Sequence, residues 1–295
     1  MNPERGTQLR YWMKGSTPVR LSCWHGTHVA GIALGHRVNI SRGQYLSGVA
    51  RDSKLIAVNV YYLVEGSEPC HGAPICSKTS ESLSLSALEW IYSIRHRFKI
   101  ASVNMSLGGG EYRSQATCDA ENPAMKAAID NLRSVGIATI VSAGNSGFTD
   151  ALASPACISS AISVGSISAG QGQPDGNNCA GHLMGQAGPG SISCFSNSAS
   201  FLSLLAPGDW ILSAVHSTKM RFASMAGTSM ASPHVAGAWA ILRQKVPSAS
   251  VAKILEALVK TGYPVQDPRN GLVKPVIQVS KAINWVNESP ASVKH

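Results

Sequence analysis

Two groups that together can carry out acyl transfer stand far apart in this chain. Ser229 follows Gly227 and Thr228, which suit a turn, and precedes a small and apolar run from Ala231 to Leu242. That run has helical length and reads as a buried helix. The unpaired N–H groups and positive dipole end of such a helix start favour negative charge, so an oxyanion forming beside Ser229 would be stabilised there. A second segment, Cys23-Trp24-His25-Gly26-Thr27-His28-Val29-Ala30-Gly31-Ile32, opens another small-residue helix with an imidazole. Taken singly each has an ordinary explanation, because a hydroxyl residue ahead of a helix is commonly a cap and a lone histidine is commonly structural. Taken together, an alcohol and an imidazole base are what nucleophilic catalysis requires.

Such a pair must be held by a scaffold, and short β-rich runs alternate with helical stretches from His25 onward. The patterns predict a helix over 25–35, a strand over 54–61, a helix over 82–97, strands over 100–106, 137–142 and 161–167, and a helix over 121–135. Helices over 229–245 and 248–260 follow, and the tail from 274 to 287 adds a last one. This order argues for βαβ crossovers and a parallel sheet. Lys54 to Val60 is nearly continuous in apolar residues, as expected of a strand covered on both faces. Asn145 follows the apolar strand Gly136 to Val141 and so lies at a strand's C-terminal edge, where α/β enzymes build sites. Ser106-Leu107-Gly108-Gly109 leaves a strand with main-chain groups free for another backbone. Ala169 to Cys194 is rich in Gly, Gln, Asn and Pro and reads as a long loop.

The segments His25 to Gly31 and Gly227 to Gly237 resemble the histidine and serine boxes of the subtilisin-like serine proteases. Val141-Ser142-Ala143-Gly144-Asn145-Ser146-Gly147 resembles that family's oxyanion-hole box, and Val103 to Gly109 its substrate-binding strand. The four boxes fall in family order. The likeness runs from about residue 23 to the region of Trp285; residues 1–22 fall outside it and 23–295 read as one peptidase domain. It implies an α/β, subtilisin-like three-layer fold with a mainly parallel central sheet flanked by helices. It also implies that Ser229 is the nucleophile, His25 the general base, and the Asn145 side-chain N–H with the Ser229 backbone N–H the oxyanion hole. An extended polypeptide substrate would add itself along Ser106, Leu107, Gly108 and Gly109, with Ala143, Gly144 and Ala153 lining a roomy apolar pocket. His28 and His234 are assigned structural roles, and a propeptide or protein inhibitor is a further implied partner.

The family's triad also needs an aspartate on a first core strand before the histidine box. The 24 residues before His25 contain no Asp, and their one acid, Glu4, has no apolar strand around it. Asp52 follows the histidine helix in a turn and is not assigned to the triad. The sequence therefore reads as N-terminally shortened, with low residual activity and an exposed apolar sheet edge expected.

At 295 residues and 44% hydrophobic composition, the chain fits one large α/β domain with a substantial core. The net charge is +9, but the basic residues are scattered and not interleaved with aromatics, which argues against nucleic acid as a partner. No apolar run reaches the roughly 18–20 residues of a membrane span, and the N-terminus lacks a signal peptide's apolar core. Seven cysteines suit disulfides in an oxidising, secreted setting, with Cys70–Cys76, Cys179–Cys194 and Cys118–Cys157 as the pairing hypothesis and Cys23 left over. No metal motif is present; His25-x-x-His28 lacks the glutamate and the spacing of a metalloprotease, and no calcium site is identifiable. The sequence thus reads as a cofactor-free serine endopeptidase. Its main rival is an inactive relative that binds extended peptides or an inhibitor. An α/β-hydrolase esterase is disfavoured, because the serine context Gly227-Thr228-Ser229-Met230-Ala231 lacks the second glycine of the nucleophile elbow.

Overall fold

A computed structural model describes residues 17–41, 43–68, 70, 74–169, 190–216 and 221–288. In chain order its first half comprises α1 (Thr17–Leu34), β1 (Val38–Ser41), β2 (Gln44–Leu46), β3 (Tyr61–Glu65), β4 (Ile75–Thr79), α2 (Glu81–Ser93), β5 (Ser102–Met105), β6 (Gly109–Tyr112), α3 (Gln115–Glu121) and α4 (Pro123–Ser134). There follow β7 (Ala138–Ser142), β8 (Leu152–Ser154), β9 (Ile162–Ser168), β10 (Leu204–Asp209), β11 (Ile211–Ala214), β12 (Phe222–Met225), α5 (Thr228–Lys245), α6 (Val251–Thr261), β13 (Tyr263–Gln266), β14 (Val273–Val276) and α7 (Val279–Glu288).

Six strands form the central sheet in the order β13-β14-β10-β9-β7-β5. All neighbours are parallel except the β13–β14 pair at one edge. Alternation along the strands sorts side chains into two cores, as the period of two requires. Ile140, Ile162, Val164, Leu204 and Ala206 meet α5, α6 and α7, with Trp239 of α5 fully buried among them. Val141 and Leu205 point the other way, into a cluster with Leu132 and Ile129 of α4 and Leu88 of α2. Helices therefore cover both faces, giving the three-layer α/β architecture expected. Each fully buried large apolar side chain contributes roughly 1.5–3 kcal/mol. Small residues let α1 cross α5 closely: a Cβ on Gly237 would lie 2.7 Å from the Ala33 carbonyl oxygen.

Several sequence-based boundaries need correction. Helix α1 begins at Thr17 rather than His25, so His25 lies inside a helix and not at its mouth. The helix expected over 121–135 is α4, starting at Pro123; a separate helix, α3, precedes it, and the two are broken at Asn122-Pro123, since proline lacks an N–H and disfavours helical geometry in the residue before it. The tail from 274 starts as strand β14 and becomes helical only at Val279. The strand expected over 54–61 does not form. Residues 53–60 carry no regular structure, and β3 begins only at Tyr61, paired with β4 outside the central sheet. An apolar strand needs a ladder partner on its edge, and none of the described residues supplies one to this segment.

Cys70–Cys76 and Cys118–Cys157 are disulfides, as the pairing hypothesis has them. The second, with a sequence separation of 39, is worth about 2–4 kcal/mol through restriction of the unfolded chain. Cys194 is also disulfide-bonded. Its expected partner Cys179, most of the loop from Ala169, and the side chain of Cys23 lie outside the described residues.

Candidate active site

The start of α5 is fixed by side chains from two strand ends. Gly227 precedes the helix at φ 153°, a conformation that residues with a Cβ rarely adopt. The next residue, fully buried Thr228, donates to Asn145 Oδ1 from both its backbone N–H and its hydroxyl, each at 2.8 Å. Its hydroxyl also accepts the Gly144 N–H at 3.2 Å. Two donors on Oδ1 assign the amide's orientation and leave Asn145 Nδ2 as a donor on the same side as Gly227, where a Cβ would stand 3.4 Å away. On the other side Ser106 Oγ donates to the Ser229 carbonyl at 2.8 Å, accepts from Asn104 Nδ2 at 2.9 Å and bonds Ser232 Oγ at 2.9 Å. The turn bearing Ser229 is thus tied to β5, while the one bearing Asn145 is tied to α5.

Asn197 holds the Asn145 loop from beneath. It is fully buried; its Oδ1 accepts from Ser146 N–H at 3.0 Å and Phe148 N–H at 3.2 Å, and its Nδ2 donates to Ala143 O at 3.1 Å. Gly144, at φ 110°, fits because a Cβ there would collide with the Asn197 amide. A layer further out, the buried Arg269–Asp267 pair meets at 2.7 Å, and Arg269 also donates to the carbonyls of Cys194 at 2.8 Å and Ser196 at 2.9 Å. Burial pushes the Asp267 carboxyl up, but hydrogen bonds and charge from Arg269 more than offset this and hold it below its ordinary value. Asn270 Nδ2 donates to Thr149 O at 2.6 Å and to Ser198 Oγ at 3.0 Å, closing the support.

The imidazole side is built differently. His28, fully buried, donates from Nε2 to Ala223 O at 2.9 Å, and its own carbonyl accepts from Ser213 Oγ at 2.8 Å. These bonds fasten α1 to the β11–β12 hairpin that leads into Gly227. One turn after His25, Val29 packs on a cluster of Ile32, Ile211 and Met230. Burial, and secondarily the neighbouring His28, lower the pKa of His25, so the imidazole is neutral and able to accept a proton near neutrality. Among the described residues none hydrogen-bonds to His25. His234 Nδ1 bonds Met230 O at 2.9 Å within its own helix, and burial lowers its pKa. His28 and His234 are thus each committed to a main-chain carbonyl.

One open cleft of about 2850 Å³ is lined by His25, Asn145 and Ser229 together with Ser106, Leu107, Gly108 and Gly144. Three expected lining residues, Ala143, Ala153 and Gly109, are not part of it; Ala153 is buried, with its N–H bonded to Ala143 O. Ala143 is fully buried, with its N–H bonded to Val164 O, and Gly109 belongs to β6, where it pairs with Ser154 of β8. The main chain after Ser106 is therefore only partly free, and the Ser106 side chain is committed to the serine turn. Asp52 sits in an exposed turn beside Arg51 at 3.7 Å. Sequence reasoning missed Thr228 and Asn197: a threonine ahead of a helix resembles a cap, and an asparagine among serines resembles a turn residue.

The profile of the subtilase family matches residues 11–275. The chain belongs to that family. The alkaline proteinase of Hapsidospora chrysogena is 33% identical over 252 residues, covering 84% of this chain and 50% of that protein. The extracellular serine proteinase of a Thermus strain is 30% identical over 240 residues, covering 81% of this chain and 46% of its own. This subtilase chain thus spans about half the length of those relatives. Among solved structures, a cold adapted subtilisin-like serine proteinase superposes with a TM-score of 0.60 at 27% identity, covering 86% of this chain and 73% of the other. A protease from Pseudoalteromonas arctica, at 21% identity and TM-score 0.62, shares the fold.

Proposed function

We infer that this subtilase chain is a serine endopeptidase acting on extended polypeptides. The observation that carries this reading is the single cleft on which Ser229, His25 and the oriented Asn145 amide all open. Ser229 Oγ attacks the scissile carbonyl carbon while His25 takes its proton, and the tetrahedral oxyanion accepts hydrogen bonds from Asn145 Nδ2 and the Ser229 N–H. His25 then gives its proton to the leaving amine, the C–N bond breaks, and an acyl-enzyme remains. Water, deprotonated by His25, releases the second product and regenerates the hydroxyl. Because the substrate is read along the main chain from Ser106 to Gly108, it must be extended and accessible rather than folded. Two disulfides and the extracellular relatives support a secreted setting.

A second reading, an inactive relative that binds extended peptides, is favoured by one observation: no described residue hydrogen-bonds to His25. Without a carboxylate to fix its tautomer, kcat falls on the order of 10⁴-fold. A fluorophosphonate probe separates the readings. Slow but stoichiometric labelling at Ser229, abolished by Ser229→Ala and slowed by His25→Ala, is the expected result. Absence of labelling in folded protein would refute the peptidase and leave the binding module.

A further inference from the structure

Three Asn-X-Ser triplets occur in the chain, at Asn39-Ile40-Ser41, Asn104-Met105-Ser106 and Asn287-Glu288-Ser289. In a secreted protein such a triplet is an acceptor for an N-linked oligosaccharide, provided the asparagine side chain stays in solvent after folding. The structure separates the three. Asn104 lies in β5, its Nδ2 donates to Ser106 Oγ at 2.9 Å and its Oδ1 is buried, so a sugar there is incompatible with the folded sheet and the serine turn. Asn287 stands in the last turn of α7, and Pro290, directly after its serine, restricts the backbone of that serine. Asn39 is exposed in β1, outside the central sheet.

The hairpin around Asn39 sorts its side chains by the strand period of two. Val38 and Leu46, paired across the ladder, line a hollow of about 310 Å³ together with Gly31 of α1 and Phe222 of β12. The next pair, Asn39 and Tyr45, therefore points the other way, into solvent. Directly opposite residues of an antiparallel pair have Cβ atoms about 4.5–5.5 Å apart, so a group bonded to Asn39 meets the Tyr45 ring. Tyr45 is 54% exposed, with the Arg37 guanidinium 3.9 Å from its ring centroid. A pyranose presents a face of C–H groups, which an aromatic ring buries as it buries other apolar surface. Ser41, also exposed, donates from Oγ to Gln44 Oε1 at 2.8 Å across the turn. The hairpin thus supplies both an acceptor and a platform for the first sugar.

We propose that Asn39 is an N-glycosylation site whose first N-acetylglucosamine packs on Tyr45. The transfer is a substitution at carbon. Asn39 Nδ2 bonds to the anomeric carbon of an oligosaccharide carried on a lipid pyrophosphate, and the bond from that carbon to the pyrophosphate oxygen breaks. The lipid pyrophosphate leaves with the electron pair, and the amide gives up one proton. A secretory oligosaccharyltransferase catalyses the step, and the Ser41 hydroxyl completes the triplet it recognises. A two-stranded hairpin is marginal by itself, so the sugar adds contact where the element has little of its own. The inference rests on the secreted setting of the proposed function and not on catalysis at Ser229.

The test is made on the full chain, directed by a secretory leader through a yeast that builds N-linked oligosaccharides. Exported protein with Cys70–Cys76 and Cys118–Cys157 closed should carry an oligosaccharide on Asn39. Peptide N-glycosidase should remove it and convert the asparagine to aspartate, read by mass spectrometry of the peptide. Asn39→Gln and Ser41→Ala should each abolish the modification, and Ser41→Thr should keep it. An endoglycosidase that leaves one sugar isolates the Tyr45 contact. Amide exchange in 38–46 should be about two- to fivefold slower in the one-sugar form than in Asn39→Gln, and Tyr45→Ser should erase the difference. Equal exchange in those two forms would overturn the Tyr45 platform. Exported, disulfide-closed protein with Asn39 bare, or with a sugar on Asn104, would overturn the site and leave the secreted setting standing. Protein retained in the cell with those cysteines free would refute the secreted setting and the site together.

Discussion

On the serine side of the cleft, Asn145, Thr228, Gly144 and Asn197 share hydrogen bonds, and the Arg269–Asp267 pair braces the loops behind them. On the histidine side, His25 rides on a helix anchored through His28, next to a segment whose apolar side chains face solvent. The first region ties its loops together through several hydrogen bonds on the Asn145 and Ser229 turns, whereas the second fastens the helix through His28 and packing while no described residue hydrogen-bonds to the His25 imidazole itself. Precision in such a site comes from overlapping restraints, because a buried group held twice keeps its place when one partner shifts. Under the proposed function, the difference puts the weak point at the proposed base, His25, rather than at Ser229.

The largest effect expected on this contrast is from Arg269→Leu. It leaves Asp267 buried and uncompensated and strands two carbonyls, so urea titration should show a loss of about 3–5 kcal/mol in unfolding free energy. A loss below about 1 kcal/mol would mean that the braced side is not braced by this pair. Next, Asn197→Ala removes three bonds from a fully buried amide. A stability loss of about 1–3 kcal/mol and slower labelling of Ser229 are expected, the second because the Asn145 loop loosens. Equal labelling rates would separate Asn197 from the site.

Acid should act on the two sides in different pH windows. Burial lowers the pKa of His28 and His234 below the ordinary 6.5, so the unfolded chain binds more protons than the folded one. Their contribution is intact above 6.5 and is lost as pH falls through the lowered folded values. Asp267, held below its ordinary 3.8, keeps its contribution down to that pH and loses it only at lower values. Thermal melts between neutral and acid pH should therefore show a first decline that His28→Gln reduces and a later one that it leaves alone. The smallest effect belongs to the open segment: Leu55→Ser, Ile56→Ser and Val58→Ser should each change stability by no more than about 0.5 kcal/mol. A loss above about 2 kcal/mol would show that these side chains are packed in solution, and the contrast would fail.

Much of this was legible from residue order. Residue order places Ser229 in a turn ahead of a small-residue helix and Asn145 at a strand end, and both line one cleft; the loop bracketed by Cys70 and Cys76 and the hypothesised pairing of Cys118 with Cys157 are both disulfides. Three features were hidden for physical reasons. The run Lys54 to Val60 has every local property of a buried strand, yet a strand exists only with a partner on its edge, and periodicity carries no information about partners. The start of α1 was placed at His25 because the glycine and threonine there resemble a helix entry, whereas the helix runs through from Thr17. Asn197 lies in a serine-rich loop whose composition suggests a surface turn, and only three-dimensional closure over Ala143 turns it into an interior support.

The hydroxyl of Ser106 rivets the exit of β5 to the first turn of α5 through Ser229 O and Ser232 Oγ. Whatever stiffens that strand from its outer edge also stiffens the platform under the reactive oxygen. By thermodynamic reciprocity, a ligand of the cleft that favours the stiffened strand and one that favours the stiffened turn at Ser229 would strengthen each other's binding by the same factor.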